Sequence, residues 1–286
     1  MDKRLADLVA LLDLEQLEVN LFRGESRDIG APQVFGGQVL GQALSAAAAT
    51  VEGRVVHSLH AYFLRRGDCN APIVYQVDRS LDGHHFSNRR VVAIQHGEQI
   101  FNMTASFQVG ETGFDHQTPK PSVAPPESLV DVRGLPAADL ARLPERVRRF
   151  FEQPRPFEFR PVQGIDYLKP HLAPERQVWL RAVGALPGDE MLHRRLLAYV
   201  SDFFILDTAT LPHRTAPAKP DLVMASIDHA LWFHRPLRVD DWLLYSIESP
   251  SASGARGFSR ASVFARDGTL VASAAQEGLM RERKRT

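Results

Sequence analysis

The sequence predicts an α+β fold built twice, as two antiparallel sheets each wrapped around a long central helix. Three observations predict it. A helical run over 34–50 is made of small and apolar residues on faces too broad for a surface helix. Each half of the chain follows its long helix with four strand-like segments joined by hairpin signals. The two halves also share residues at a nearly constant shift. A length of 286 residues accommodates one large domain or two of ordinary size.

The elements follow in order. Leucines at 5, 8, 11 and 12 are spaced as on a helix. Residues 17–22 alternate as a strand, and 30–33 form a loop. In the helix over 34–50, Gly36, Gly37 and Gly41 with four alanines let a sheet come close; Gly36-Gly37 lacks the spacing and lysine of a phosphate loop. Strands are expected over 55–65, 73–80, 86–95 and 99–109, with turns at Asp82-Gly83 and His96-Gly97. Residues 118–126 are proline-rich and aperiodic, as a linker should be. An amphipathic helix over 137–151 should pack across a domain junction. Then come strands over 157–162 and 177–183, a helix over 191–208, and strands over 223–234, 242–249, 257–265 and 270–280.

The repeat is carried by specific residues. Phe63-Leu64-Arg65 matches Phe233-His234-Arg235, Tyr75 and Val77 match Tyr245 and Ile247, and Arg90 matches Arg260. Hairpin turns fall opposite one another one residue further on. This divides the chain into a first repeat over 1–117, a linker with its helix over 118–153, and a second repeat over 154–286.

Composition is that of a soluble globular protein, with 44% hydrophobic and 24% charged residues. Lys plus Arg equal Asp plus Glu at 34 each, so bulk charge points to neither nucleic acid nor a membrane surface. No apolar run approaches a membrane span, and the N-terminus lacks a signal-peptide core. One cysteine, Cys69, precludes an internal disulfide. The expected location is the cytoplasm.

Residues 223–236 are apolar enough for a core strand, yet they hold Ser226, Asp228, His229, His234 and Arg235. Buried polar groups need partners, so this stretch is the first candidate for a site. Asp202 lies in an apolar helical run with Val200, Phe203 and Phe204, and Gln276 lies in a strand with Ala272, Ala274 and Ala275. Taken singly, each is an ordinary residue. Asp207 and Asp228 are rival carboxylates, and Asp228 with His229 reads as a structural polar network. Cys69 sits in a loop sequence without the His–Asn pattern of a thiol hydrolase. Ser259 lies in a near-match to a nucleophile elbow that lacks the last glycine and reads as strand. His57 and His60 point to opposite faces of a strand, and no metal site is expected.

The motifs Phe22-Arg23-Gly24 with 34–39, His57-Ser58 to Arg65 with Gly67-Asp68, Ile227-Asp228-His229 through Trp232 to Pro236, and Gln276-Glu277-Gly278 occur in one order. In these the sequence resembles the acyl-CoA thioesterase II family of double-hotdog hydrolases. The resemblance covers nearly the whole chain. It implies a double hotdog, hydrolysis of acyl-CoA to fatty acid and CoA, and a catalytic group of Asp202, Ser226 and Gln276. Ser226 departs from the threonine usual there, keeping the hydroxyl and losing a methyl.

Those residue types suit the chemistry. Asp202 would act as general base toward a water that Ser226 and Gln276 hold in line with the thioester carbonyl. Backbone N–H groups near a helix start are candidate oxyanion donors. Arg65, Arg66, Arg235, Arg256 and Arg260 could meet CoA phosphates, and Phe203, Phe204 and Trp232 could line an acyl tunnel. No cofactor is called for. The alternatives are an acyl-CoA-binding module or an enoyl-thioester hydratase or dehydratase. A homodimer or a dimer of dimers is expected.

Overall fold

A computed structural model of the chain describes residues 1–30, 33–134, 136–142, 148, 152–164, 169–214 and 222–282. Helix α1 (Lys3–Leu12) is capped by the Asp2 carboxylate, which accepts from the Arg4 N–H, and it buries Leu5, Leu8, Leu11 and Leu12. The strand expected over 17–22 is a hairpin of β1 (Glu15–Glu18) and β2 (Leu21–Gly24). It turns at Val19-Asn20, where the Asn20 carbonyl accepts from Val77 N–H. Then follow α2 (Gly36–Ala48), β3 (Val55–Phe63), β4 (Ile73–Asp82), β5 (Phe86–Gln95) and β6 (Glu98–Gln108).

The second half follows the same order. Helix α3 (Ala137–Arg142) begins where the amphipathic helix was expected; most of its later part lies outside the described residues. Strands β7 (Phe157–Pro161) and β8 (Glu175–Ala182) lead into α4 (Glu190–Ser201) and the one-turn helix α5 (Ile205–Thr208). Strands β9 (Leu222–Ser226), β10 (Asp228–Phe233), β11 (Leu243–Ser253), β12 (Arg256–Ala265) and β13 (Leu270–Glu282) complete the chain.

The duplication is visible in the strand order. One half runs β1-β2-β4-β5-β6-β3, and the other runs β7-β8-β11-β12-β13-β10. The halves join where β3 pairs antiparallel with β10, from Tyr62 opposite Asp228 to Ser58 opposite Trp232. The two expected sheets therefore merge into one 13-stranded sheet. The matched tyrosines play matched parts. Tyr75 donates to the Gln42 side chain on α2, and Tyr245 donates to the Ser201 carbonyl at the end of α4, both at 2.7 Å.

The two central helices pack against each other. A Cβ on Gly37 would stand 2.1 Å from the Tyr199 carbonyl oxygen of α4, and one on Gly41 would stand 3.4 Å from that of Arg195. Glycines one turn apart thus set the closeness of the crossing. The linker lies on the outer face of the second half. There Val123 and Leu129 close over Trp179, Trp242, Leu244 and Phe264, and the Trp179 indole donates to the Ala124 carbonyl. Among the described residues no helix is long and apolar enough to cross a membrane.

Two departures from the sequence reading position the site. The helix expected over 191–208 breaks after Ser201. Phe204 there takes the left-handed conformation, with φ of 66°. That conformation costs about 1–2 kcal/mol for a residue with a Cβ. Its ring is held edge-on against Phe159, 5.2 Å between centroids. The strand expected over 223–234 is β9 and β10, both beside β13, with a bulge between them. Three residues lie between Ser226 and Ala230, whereas two lie between their partners Gly278 and Ala275.

Candidate active site

The N-terminus of α2 carries no side-chain cap of its own, because Phe35 occupies the capping position. Its unpaired N–H groups and positive dipole end call for an acceptor. Asp202 supplies one from the other half of the molecule. The break after α4 places Asp202 at the C-terminal cap, and its Oδ2 accepts the Gly37 N–H at 2.9 Å. Gly36 must lack a side chain here, since a Cβ would lie 2.7 Å from the same oxygen.

Two further groups reach this carboxylate. Gln276 Nε2 donates to Asp202 Oδ1 at 2.7 Å, and the Ser226 hydroxyl also hydrogen-bonds to Asp202. The structure therefore brings Asp202, Ser226 and Gln276 together from a helix end and two paired strands. Burial pushes the Asp202 carboxyl above its ordinary range, and the bonds from Gln276, Gly37 and Ser226 pull part of the way back.

Behind Gln276 lies a fully enclosed layer. His229 Nδ1 is 3.2 Å from Gln276 Nε2, and His229 Nε2 is 2.9 Å from Ser201 Oγ, which donates to the Ala198 carbonyl. Burial pushes the His229 pKa down to about 4, so the ring is neutral near pH 7. Gln276 Oε1 and the hydroxyl of Ser259, directly across the strand pair, are both buried without a hydrogen-bond partner among the described residues.

The rival groups are otherwise engaged. Asp228 sits in the bulge, where its Oδ1 accepts the Glu277 N–H at 2.6 Å and takes over a ladder bond that the extra residue interrupts. Asp207 is paired with Arg176 at 2.8 Å and Arg214 at 2.6 Å. Burial would raise that carboxyl, but the two guanidinium groups outweigh it and hold it at about 2. Cys69 lies in a loop, and burial together with Asp28 and Asp68 pushes its thiol up. Ser259 is on β12 and fully buried, so it is no nucleophile elbow. His57 meets Ser106 at 2.8 Å while His60 packs edge-on against Trp232, so the two do not converge.

The aromatic residues divide. Phe203 and Phe204 are buried immediately beside Asp202, with Phe203 against Phe35 at 4.4 Å between centroids. Trp232 is not brought to the site. Strand alternation puts it on the face opposite His229, where it lines an outer groove of about 660 Å³. Four of the five arginines pair with carboxylates: Arg65 with Glu98, Arg235 with Asp115, Arg256 with Glu277 and Arg260 with Glu248. Arg66 is exposed in the loop after β3.

What the sequence reading missed is the α2 terminus and the enclosed Ser201–His229 layer. The missing cap was the available signal: a long helix starting at Gly36 with no Ser, Thr, Asp or Asn before it needs an acceptor from elsewhere.

Known proteins resemble this chain along its whole length. The sequence profile described as acyl-CoA thioesterase matches residues 147–279, and that of the acyl-CoA thioesterase N-terminal domain matches 23–108. A Haemophilus influenzae protein named acyl-CoA thioesterase 2 is 43% identical over 98% of this chain and 99% of its own. The crystal structure of an acyl-CoA thioesterase II from Mycobacterium marinum superposes with a TM-score of 0.80, at 41% identity, over 97% of this chain and 99% of that one. A hot dog fold protein from Alicyclobacillus acidocaldarius, 18% identical, superposes with a TM-score of 0.77 over 97% of this chain and 99% of its own, and shares the fold.

Proposed function

The chain belongs to the acyl-CoA thioesterase family, and on that premise we propose that it hydrolyses acyl-CoA with a water held at Asp202, Ser226 and Gln276. The reaction takes acyl-CoA and water to a fatty acid and CoA. Asp202 accepts a proton from the water as its oxygen attacks the thioester carbonyl carbon. The carbon–sulfur bond then breaks, and the proton passes to the departing thiolate. Ser226 steadies the carboxylate. The N-terminus of α2, which already favours negative charge at Asp202, is the source of N–H donors for the oxyanion.

The observation that carries this reading is the setting of the Asp202 carboxylate. Asp202 is a part-buried carboxylate held by three donors, where the two halves of the molecule meet. A carboxylate oxygen has two lone pairs, so Asp202 can accept from a water that keeps its own lone pair for attack. A passive binding module has no use for such an arrangement, because holding a carboxylate away from solvent costs stability. A hydratase of this fold relies on an acid paired with a histidine, whereas His229 contacts Gln276 and Ser201.

The CoA phosphates are taken by residues from among Arg65, Arg66, Arg256 and Arg260, since Arg235 leaves the β3–β10 pair at the end opposite Arg65. Exposed ion pairs are worth about 0–1 kcal/mol, so a phosphate can replace their carboxylates at little cost. Phe203 and Phe204 flank the acyl chain. The protein works in the cytoplasm as a homo-oligomer. Release of free thiol from a medium-chain acyl-CoA, followed with a thiol reagent, tests the activity. Binding without thiol release, or addition of water to an enoyl-CoA without thiol release, would refute it.

A further inference from the structure

We propose that His229 is a positioning residue for hydrolysis, which fixes the end of the Gln276 amide that faces Asp202 and thereby keeps a donor, not an acceptor, beside the carboxylate that takes the proton from the water. The proposal rests on the reading that Asp202 and Gln276 hold that water.

Hydrogen counting gives the orientation. Ser201 Oγ lies 3.0 Å from the Ala198 carbonyl oxygen, which can only accept, so the single hydroxyl hydrogen goes there. Ser201 Oγ is then an acceptor toward His229 Nε2 at 2.9 Å, and the imidazole hydrogen sits on Nε2. Nδ1 is left bare, and it lies 3.2 Å from the Gln276 side chain. A bare nitrogen needs a donor, so the Gln276 NH₂ group faces it. The same NH₂ reaches Asp202 Oδ1 at 2.7 Å with its second hydrogen. Both amide hydrogens are thereby used, and Oε1 points away, buried and without a partner among the described residues.

The reversed amide is excluded by the same groups. Its oxygen would face the Asp202 carboxylate and the bare Nδ1 together, which are two repulsions in an enclosed site. Burial that keeps the imidazole neutral protects the arrangement, because a second ring hydrogen would confront the amide N–H groups. Ser201 and His229 are each at most 1% exposed, so bulk solvent does not replace the bonds that His229 makes. The chain of donors runs from Gln276 on β13 through β10 to the end of α4, the helix that Asp202 itself caps.

Three variants of the full chain test this, with kcat and KM for a medium-chain acyl-CoA and melting curves. In His229→Asn the side-chain oxygen offers an acceptor where Nδ1 stood. In His229→Gln the longer side chain reaches Ser201 but offers no acceptor at that place. We expect His229→Asn to stay within roughly tenfold of the parent in kcat. His229→Gln should fall by about 10²-fold, the cost of a misplaced reacting group, with KM little changed. Asp202→Asn, run alongside, is inactive in this account. His229→Gln turning over as fast as His229→Asn would overturn the role of His229 while an inactive Asp202→Asn leaves the hydrolytic reading intact. An active Asp202→Asn would overturn that reading itself. The imidazole ¹⁵N shifts of the unaltered protein give a check that needs no folded variant: hydrogen on Nε2 is the expected result, and hydrogen on Nδ1 overturns the proposal.

Discussion

Asp202 caps one helix while belonging to another, and its proton affinity follows from that position. Burial raises its pKa, and three donors only partly offset it. A base must be ionised to take a proton, so activity falls as pH falls through this raised value. The acid limb of kcat/KM is therefore expected above the ordinary aspartate range near ~4. The profile from pH 4 to 9 checks it; a limb at or below the ordinary value would contradict it. The stability consequence has the opposite sense. A carboxyl whose folded pKa is raised favours the fold most when protonated, and that contribution is lost as pH rises from the unfolded to the folded value. The ionised, active form is the less stable one.

Ser226 gives a second test at this scale. If its hydroxyl steadies Asp202, Ser226→Thr keeps the bond and keeps activity, with a stiffer rotamer. Ser226→Ala loses it, and a preorganised bond of this kind is worth ~2.7–4 kcal/mol in the transition state. A serine that merely fills the core gives the reverse order, with Thr harmful and Ala tolerated. Steady-state rates with melting curves separate the two. That Asp202, Ser226 and Gln276 come together was expected from the family resemblance, not from the residues taken singly. His229 was read only as part of a structural network, because a hydrogen-bond chain through Ser201 to a neighbouring helix leaves no mark in sequence spacing.

At the scale of elements, the site depends on one helix start. Gly37 donates its N–H to Asp202 and also lies against the Tyr199 carbonyl. Gly37→Ala puts a methyl 2.1 Å from a backbone oxygen, which cannot rotate away. The two central helices must separate, at a cost of about 1–3 kcal/mol or more. The melting temperature should drop by several degrees and thiol release should fall with it; a variant as stable and active as the parent would contradict the crossing described. The break after α4 was not legible. Phe203 to Leu206 continue the apolar helical pattern, and a left-handed phenylalanine has no glycine or proline to announce it. The bulge at 226–230 was hidden for a related reason, since an extra residue in a strand preserves composition while changing which side chains share a face.

For the whole molecule, duplication explains the frame and its loss explains the single site. Strand order, hairpins and the matched tyrosines recur in both halves. The two sheets join edge to edge through β3 and β10; that these strands are the ones that meet was not legible, because it depends on tertiary packing. Where the second half faces Ser259 with Gln276, the first faces Arg89 with Ala105. Arg89 is buried and binds Thr50, Asp82 and the Leu81 carbonyl, so that position holds structure together. The outer face of the first half leaves Tyr62, Leu81 and Phe86 exposed, while the linker covers the second. Burial of that face between copies predicts a dimer or a dimer of dimers, and light scattering at micromolar concentration should show no monomer.

The central claim is that Asp202, and no other carboxylate, takes the proton. Thiol release by Asp202→Asn and Asp228→Asn, both shown folded by melting, tests it most directly. Asp202→Asn should lose about 10²–10⁴ in rate, the worth of a general base. Asp228→Asn should keep most of its turnover, because that carboxylate serves the Glu277 backbone in the bulge. Near-parental turnover in Asp202→Asn with loss in Asp228→Asn would contradict the account.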